Sequence, residues 1–596
     1  MKKSLCFLLI VLLLGCLPNA TLAEGVPSNA IRYDANGGFS DAFGSRYDQR
    51  IFGTHLTENT LQGAGYFKRN GSVLLGWNTA PDGSGRSCGL GSRIPFSAGL
   101  TLYAEWISES PITSFQYRTD AGTVSITSAD SLDVCVIPEA IDGLPVTNIA
   151  YGAFRDMHLS LLVFPASLLS VEDGAFVNCT IDRLVLFDRL QTVSDASFED
   201  SVIHSLRINA ALQPVYSSSY YAAFSDKFDY LCSLTGQKKL ILFSGSSGRY
   251  GYDSAAIEAS FREYRVANMG VYAYTNALPQ YDLIRTALEP GDLLLVAPEF
   301  DAVREQFCMT DRLDPSFWAM MESNYDLVSR LELSDYSEVF DSFAAYQTTR
   351  AKMATKNYAE TPAAYDDEGE HYNFSTYNTY GDFILPRPNS ARDELHRHNI
   401  ADYTTETVTP EAVHALNLVL NPFRADGIDV FFTYAPRNRS SLTERSTPEA
   451  FREVDALLRS TLTVPVISRI EDSLLSGVYF WEIDNHLSTE GVQIRTRQVI
   501  RDLDAALHGT TAGNGIRLEG GLRHPLAWIP FAMSLFCLLI AAFVRKLRLL
   551  SWVGAGLWAI GTVTSLICGA ELMHILLVTL GLLIAKAYVT KRGDAS

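Results

Sequence analysis

A period of 22 residues runs through the middle of the chain, and no other feature limits its fold so strongly. Phe154, Phe176 and Phe198 are 22 apart, as are Ile149, Val171 and Val193, and Leu162, Leu184 and Leu206. Phe164, Leu186 and Ile208 keep the same step. A fixed step of this size specifies stacked turns, because each turn can bury its apolar side only against its neighbours. Residues 112–210 are therefore expected to form a solenoid. Ile137-Pro138-Glu139 and Gly143-Leu144-Pro145-Val146 make an irregular first turn. The repeating positions fill the core, so ligand binding would fall to exposed residues of the strand face.

The repeat occupies only part of 596 residues, more than one core can serve, so several domains are expected. With 47% hydrophobic and 19% charged residues the chain has a folding composition. Acids exceed bases 67 to 48, a net −19, which argues against a nucleic-acid-binding surface. Nine cysteines without CxxC spacing give neither a disulfide scaffold nor a zinc site, and no metal or cofactor is expected.

The ends address the location. Lys2-Lys3, the apolar run Leu5–Leu14 and Thr21-Leu22-Ala23 predict a secretory signal peptide over 1–23. Leu13-Leu14-Gly15-Cys16 resembles a bacterial lipobox, which would lipidate Cys16. Residues 525–589 hold three apolar stretches (526–544, 549–568 and 572–589), each long enough to span a bilayer. Arg545, Lys546 and Arg548, and then Lys591 and Arg592, would face the cytoplasm. That puts 24–524 outside a bacterial cell membrane and the C-terminus inside. Leu557-Trp558-Ala559-Ile560-Gly561 and Leu572–Val578 resemble very small two-helix bacterial membrane proteins, implying an anchor. Glu571 and His574 fit a turn between two helices better than a polar membrane site.

Residues 30–106 open on Asp34-Ala35-Asn36-Gly37-Gly38, pass through Leu74-Leu75-Gly76-Trp77-Asn78-Thr79 and Asp82-Gly83-Ser84-Gly85, and close on the alternating run Leu100–Trp106. This order resembles the Listeria–Bacteroides (internalin B-type) repeat, a small β-rich surface module. The resemblance implies a spacer or adhesive role. Within the solenoid, Gly152-Ala153-Phe154 and Gly174-Ala175-Phe176 resemble the BspA-type leucine-rich repeat of surface proteins.

Residues 236–508 alternate short apolar strands (240–243, 266–269, 293–297, 430–434 and 464–468) with helical patterns, which argues for a doubly wound parallel sheet. Thr409-Pro410-Glu411 and Thr447-Pro448-Glu449 each read as a helix start. Phe451, Val454, Leu457 and Leu458 follow the second at helical spacing. The polar stretch 355–405 reads as an insertion or lid. Its His371, His396 and His398 fit solvated positions better than metal ligation.

Chemistry is expected where strands end. The first strand runs into Ser244-Gly245-Ser246-Ser247-Gly248-Arg249-Tyr250-Gly251-Tyr252-Asp253-Ser254, where Asp253 or Ser254 would cap a helix. Near the far end, Phe480-Trp481-Glu482-Ile483-Asp484-Asn485-His486-Leu487-Ser488-Thr489 places a histidine among acids, just before a helix capped by Ser488 or Thr489. A serine needs a base, and the base needs an orienting carboxylate.

The set resembles the SGNH (GDSL-like) hydrolases, in particular the envelope branch related to the D-alanyl transfer protein. The matching pieces are Gly245-Ser246, Val266–Gly270, Gly291-Asp292 with Ala297-Pro298-Glu299-Phe300, Tyr377–Asp382, and His486-Leu487 with Gly491. The resemblance implies Ser246 as nucleophile, His486 as general base, and an oxyanion hole from the N–H groups of Ser246 and Gly270. The family's Asp position is Ile483 here, so Asp484 or Glu482 must substitute. In an extended loop, positions two apart point the same way, which favours Asp484. Asn276 is the candidate oxyanion amide, with a helix cap as the alternative. Arg249 would meet an anionic substrate or pair with an acid, and Glu299 would line the cleft or cap a strand end.

The expected whole is a β-rich module, a leucine-rich-repeat solenoid, an SGNH-like α/β domain and three C-terminal transmembrane helices. The expected function is a surface serine esterase or O-acyltransferase acting on acyl esters of an envelope glycopolymer, which the repeats would also hold. The alternative is a non-enzymatic adhesin or scaffold.

Overall fold

The computed structural model describes residues 30–41, 47–51, 60–94, 100–216, 221, 223–271, 276–300, 307, 309, 313–322, 324–331, 333–354, 377–390, 400–481 and 483–509. The signal peptide, Cys16, the three apolar C-terminal stretches and His371, His396 and His398 lie outside these residues. Among the described residues no helix is long and apolar enough to cross a membrane. The expected fold class is corrected to that extent: none of the helices described is a transmembrane helix.

The solenoid follows the 22-residue register. Leu162 pairs with Leu184 and Leu184 with Leu206, all in parallel ladders, and Phe154 pairs with Phe176. Phe154, Phe176 and Phe198 stack in one column, with ring centroids 4.6 Å and then 5.1 Å apart. The first turn is irregular: Val134–Val136 pairs with Leu161–Val163, so Cys135 meets Leu162 at a step of 27. An antiparallel hairpin, Phe115–Asp120 with Thr123–Ala129, covers that end.

The strand face of the solenoid is covered over much of its area. In Leu184–Phe187 all four residues are buried, although alternate strand side chains point to opposite faces. Leu184 and Leu186 fill the solenoid core. Val185 and Phe187, with Val136 and Val163, join the core of the β module instead. That module is a five-stranded sheet in the order Tyr47–Ile51, Ala30–Asp34, Leu100–Ser108, Ser72–Asn78, Ser87–Cys88. Tyr33, Phe67, Trp77 and Leu102 centre its core. At its opening turn a Cβ on Gly38 would lie 2.5 Å from the Trp106 ring, so only glycine fits there. The β module covers these four outward side chains, while Val134, on the edge strand of the same sheet, stays exposed.

The other end of the solenoid is closed by the α/β domain. Phe340, at the start of helix Phe340–Ala354, stacks on Phe198 at 4.5 Å and extends the column by one ring. The Asp195 carboxylate accepts the N–H groups of Phe340 and Asp341, and Asp335 accepts that of Ile203. One apolar core therefore runs from the solenoid into the α/β domain.

The α/β sheet is parallel, in the order Arg265–Asn268, Lys239–Phe243, Leu293–Val296, Asp429–Phe432. Val466 adds a parallel bridge to Phe432. Helix Ala223–Ser233 packs with this domain, which therefore begins before residue 236. Thr409 and Thr447 cap their helices through the N–H groups of Ala412 and Ala450. Phe451, Val454 and Leu458 turn inward from the second.

Candidate functional site

With this strand order the sheet's topological switch lies between Lys239–Phe243 and Leu293–Val296, and a crevice forms at their carboxyl ends. Ser246 stands at the first position of the short helix Ser246–Arg249, after the first of these strands. Glu299 follows the second. Ser244 Oγ and Ser247 Oγ bond each other at 2.8 Å. Ser246 Oγ instead accepts a hydrogen bond from Asn485 Nδ2 at 3.3 Å. The same Nδ2 donates to Glu299 Oε2 at 2.6 Å, and Glu299 Oε1 accepts the Ser247 N–H at 2.7 Å. A closed ring of contacts thus joins both strand ends to a loop 239 residues downstream.

That loop carries the other expected residues. It is a turn rather than an extended stretch: the His486 N–H donates to the Ile483 carbonyl at 3.2 Å. The period-two argument that set Asp484 and His486 on one side therefore does not apply. Asp484 is fully buried, and Asn438 binds it twice, Nδ2 to Oδ1 at 2.7 Å and N–H to the Asp484 carbonyl at 2.8 Å. The His486 ring lies 4.2 Å from that of Tyr250, four residues beyond Ser246. Glu482 lies outside the described residues. Ser488 caps helix Thr489–His508 by accepting the Gly491 N–H at 3.1 Å, and Thr489 Oγ1 takes the Arg387 N–H.

The remaining candidates stand behind the serine. Gly270 packs on the serine helix so closely that a Cβ would lie 2.5 Å from the Arg249 nitrogen. Its N–H donates to Asn268 Oδ1 at 2.9 Å, which commits it to the scaffold in place of the expected oxyanion role. The Gly270 carbonyl accepts Lys227 Nζ. Burial, and after it the charge of Arg249, holds the Lys227 pKa well below the usual lysine range. Asn276 is a cap: its Oδ1 accepts the Leu278 N–H at 3.0 Å, at the start of helix Leu278–Arg285. Arg249 is fully buried, with its guanidinium 4.7 to 5.2 Å from the rings of Tyr250, Tyr377 and Phe383. Asp382 fastens the segment from Tyr377 to the site by accepting Ser254 Oγ at 2.6 Å and Asn268 Nδ2 at 2.9 Å. Asp253 caps helix Ser254–Ser260.

The arrangement offers a nucleophile candidate at a helix start, a buried imidazole close by, and an amide that already touches the nucleophile oxygen. Asn485 and Asn438 were not singled out in the sequence. Asn485 lies between the two expected residues, but its direction follows only from the turn.

Compared with known families, residues 145–238 match the BspA type leucine rich repeat region, in six copies. The chain thus carries BspA-type leucine-rich repeats. The matched span outruns the solenoid, whose last strand ends at Asn209, and takes in helix Ala223–Ser233. No curated protein matches the chain.

Proposed function

We propose that this chain is an exported serine esterase or O-acyltransferase acting on acyl esters of cell-envelope glycopolymers. The observation that carries the reading is the 3.3 Å contact between Asn485 and Ser246, because consecutive Cα atoms are only about 3.8 Å apart. Asp484 and His486 flank the residue that touches the serine.

Ser246 Oγ attacks the ester carbonyl carbon and His486 takes its proton. The tetrahedral oxyanion is met by the Ser246 N–H and the Asn485 amide, in place of Gly270 and Asn276. Collapse expels the alcohol, which leaves with the proton from His486, and an acyl-serine remains. Water, or a second hydroxyl deprotonated by His486, then takes the acyl group. Buried Asp484 supplies the carboxylate of the set, braced by Asn438.

A second reading, a scaffold without catalysis, draws on the Glu299 carboxylate at the Ser247 N–H, a negative charge beside the place where an oxyanion would form. Assay of the full chain on a panel of acetyl esters, beside Ser246→Ala, separates them. Turnover by wild type alone supports the enzyme. Equal inactivity of the two across the panel replaces it with the scaffold.

A further inference from the structure

We propose that a cleft between the β module and the end of the solenoid binds a neutral saccharide. The cleft has a volume of about 520 Å³, within the range of small-ligand sites. Gln62, Gly63, Gly65 and Tyr66 contribute from the β module, and Ala211 and Gln213 from the segment after the last solenoid strand.

Both walls are fixed from behind. Trp77 Nε1 donates to the Gln62 carbonyl at 2.9 Å, and the Ala64 N–H donates to the Ala210 carbonyl at 2.8 Å, which ties one wall to the other. Opposite, Asp188 accepts the N–H groups of Ala211 and Leu212, and Arg350 donates to the Gln213 carbonyl at 2.7 Å. A preformed cleft binds without a large ordering cost.

The lining selects the ligand class. No lining residue is charged, and the chain's net −19 disfavours anions. Two glutamines, Gln62 and Gln213, are among the lining residues, and a glutamine amide carries a donor and an acceptor, a match for neighbouring hydroxyls. Tyr66 adds a ring packed edge-on against Tyr33 and Trp77, with an apolar body and a polar tip. Neither wall is a strand, so an added peptide strand would find no ladder to extend. A hydroxyl-rich, uncharged ligand fits amides, main chain and one aromatic ring.

Calorimetric titration of the full chain with chitotriose, cellotriose and maltotriose tests this, beside trigalacturonate and an uncharged Gly-Ser hexapeptide. At least one neutral trisaccharide should bind. Ala211→Trp, which fills the cleft, should weaken it by roughly tenfold or more, about 1.4 kcal/mol. Gln213→Ala should weaken it several-fold with an unchanged melting temperature, and Ser246→Ala should leave it intact whether or not that serine reacts. The proposal fails if no neutral trisaccharide binds, if both cleft variants bind like wild type, or if the galacturonate or the peptide binds in preference.

Discussion

At Asn485 a single amide nitrogen serves two acceptors, the candidate nucleophile and the Glu299 carboxylate. Removing it should loosen the loop and remove an oxyanion donor together. Asn485→Ala is expected to lower turnover by about 10²–10³. Asn485→Asp should be worse near neutral pH, because it sets a second carboxylate against Glu299. Comparing kcat for the two variants on one ester checks this, and an unchanged Asn485→Ala would remove Asn485 from the chemistry. Asp484→Asn should cost on the order of 10⁴ in kcat if it orients the imidazole, as in serine proteases. Glu482→Gln should cost far less, and the opposite ranking would move the role to Glu482. Asp484 and Glu482 were legible in the sequence as candidate acids, but their directions and the place of Asn485 were not. A turn at Ile483–His486 and an asparagine from a distant strand, Asn438, set them.

Among the elements, the phenylalanine column joins solenoid and α/β domain. Phe176 is fully buried between two stacked rings, so Phe176→Ala should cost roughly 3–5 kcal/mol. Phe340→Ala acts from the other domain, leaving the last solenoid ring without its cover. Because one core runs through both, each variant should lower a single shared melting transition in calorimetry. Two transitions, only one of which moves, would show that the solenoid folds alone. The repeat step made Phe154, Phe176 and Phe198 readable as a set. Phe340 has no place in that period, since it lies more than 100 residues beyond Phe198, inside the domain that closes the solenoid.

Across the whole molecule, two buried junctions share one design, in which two carboxylates meet one guanidinium. Arg93 of the β module contacts Asp226 at 2.5 Å and Asp229 at 3.1 Å, on the helix that leads into the α/β sheet. Arg350 contacts Glu322 at 2.5 Å and Asp188, at the solenoid's edge, at 3.7 Å. Each junction sets two carboxyl groups against one buried guanidinium. Burial, only partly offset by Arg350, raises the Asp188 pKa to about 6, and burial likewise outweighs Arg93 at Asp226, also to about 6. A carboxyl whose folded pKa is raised binds more protons folded than unfolded between about 4 and 6, so stability falls as pH rises through that window. Asp402 does not mask this. Burial works against its charge, but hydroxyls of Thr407, Thr443 and Thr404 and the Arg445 guanidinium outweigh it and hold its pKa at about 2. Its contribution is lost only below about pH 4. The chain should therefore melt higher at pH 5 than at pH 7.5, and Asp188→Asn should flatten the slope while still accepting the Ala211 and Leu212 N–H groups. An equal slope in that variant would assign the protons elsewhere.

What is periodic or local can be read from the order of residues alone: the solenoid register, the helix caps at Thr409 and Thr447, the glycine-built turn before Gly38, and the alternation that makes a parallel sheet. These follow from backbone geometry and neighbouring side chains, which a linear pattern records. Which surfaces meet was set by the three-dimensional packing. It laid the β module on Val136, Val163, Val185 and Phe187, closed the solenoid with Phe340, enclosed Arg249 in aromatic rings, tied the Gly270 N–H to Asn268, and turned Asn485 toward Ser246. Each of these outcomes rests on contacts between segments far apart in the chain, where burial of apolar area and the pairing of buried polar groups, rather than local spacing, select the partner.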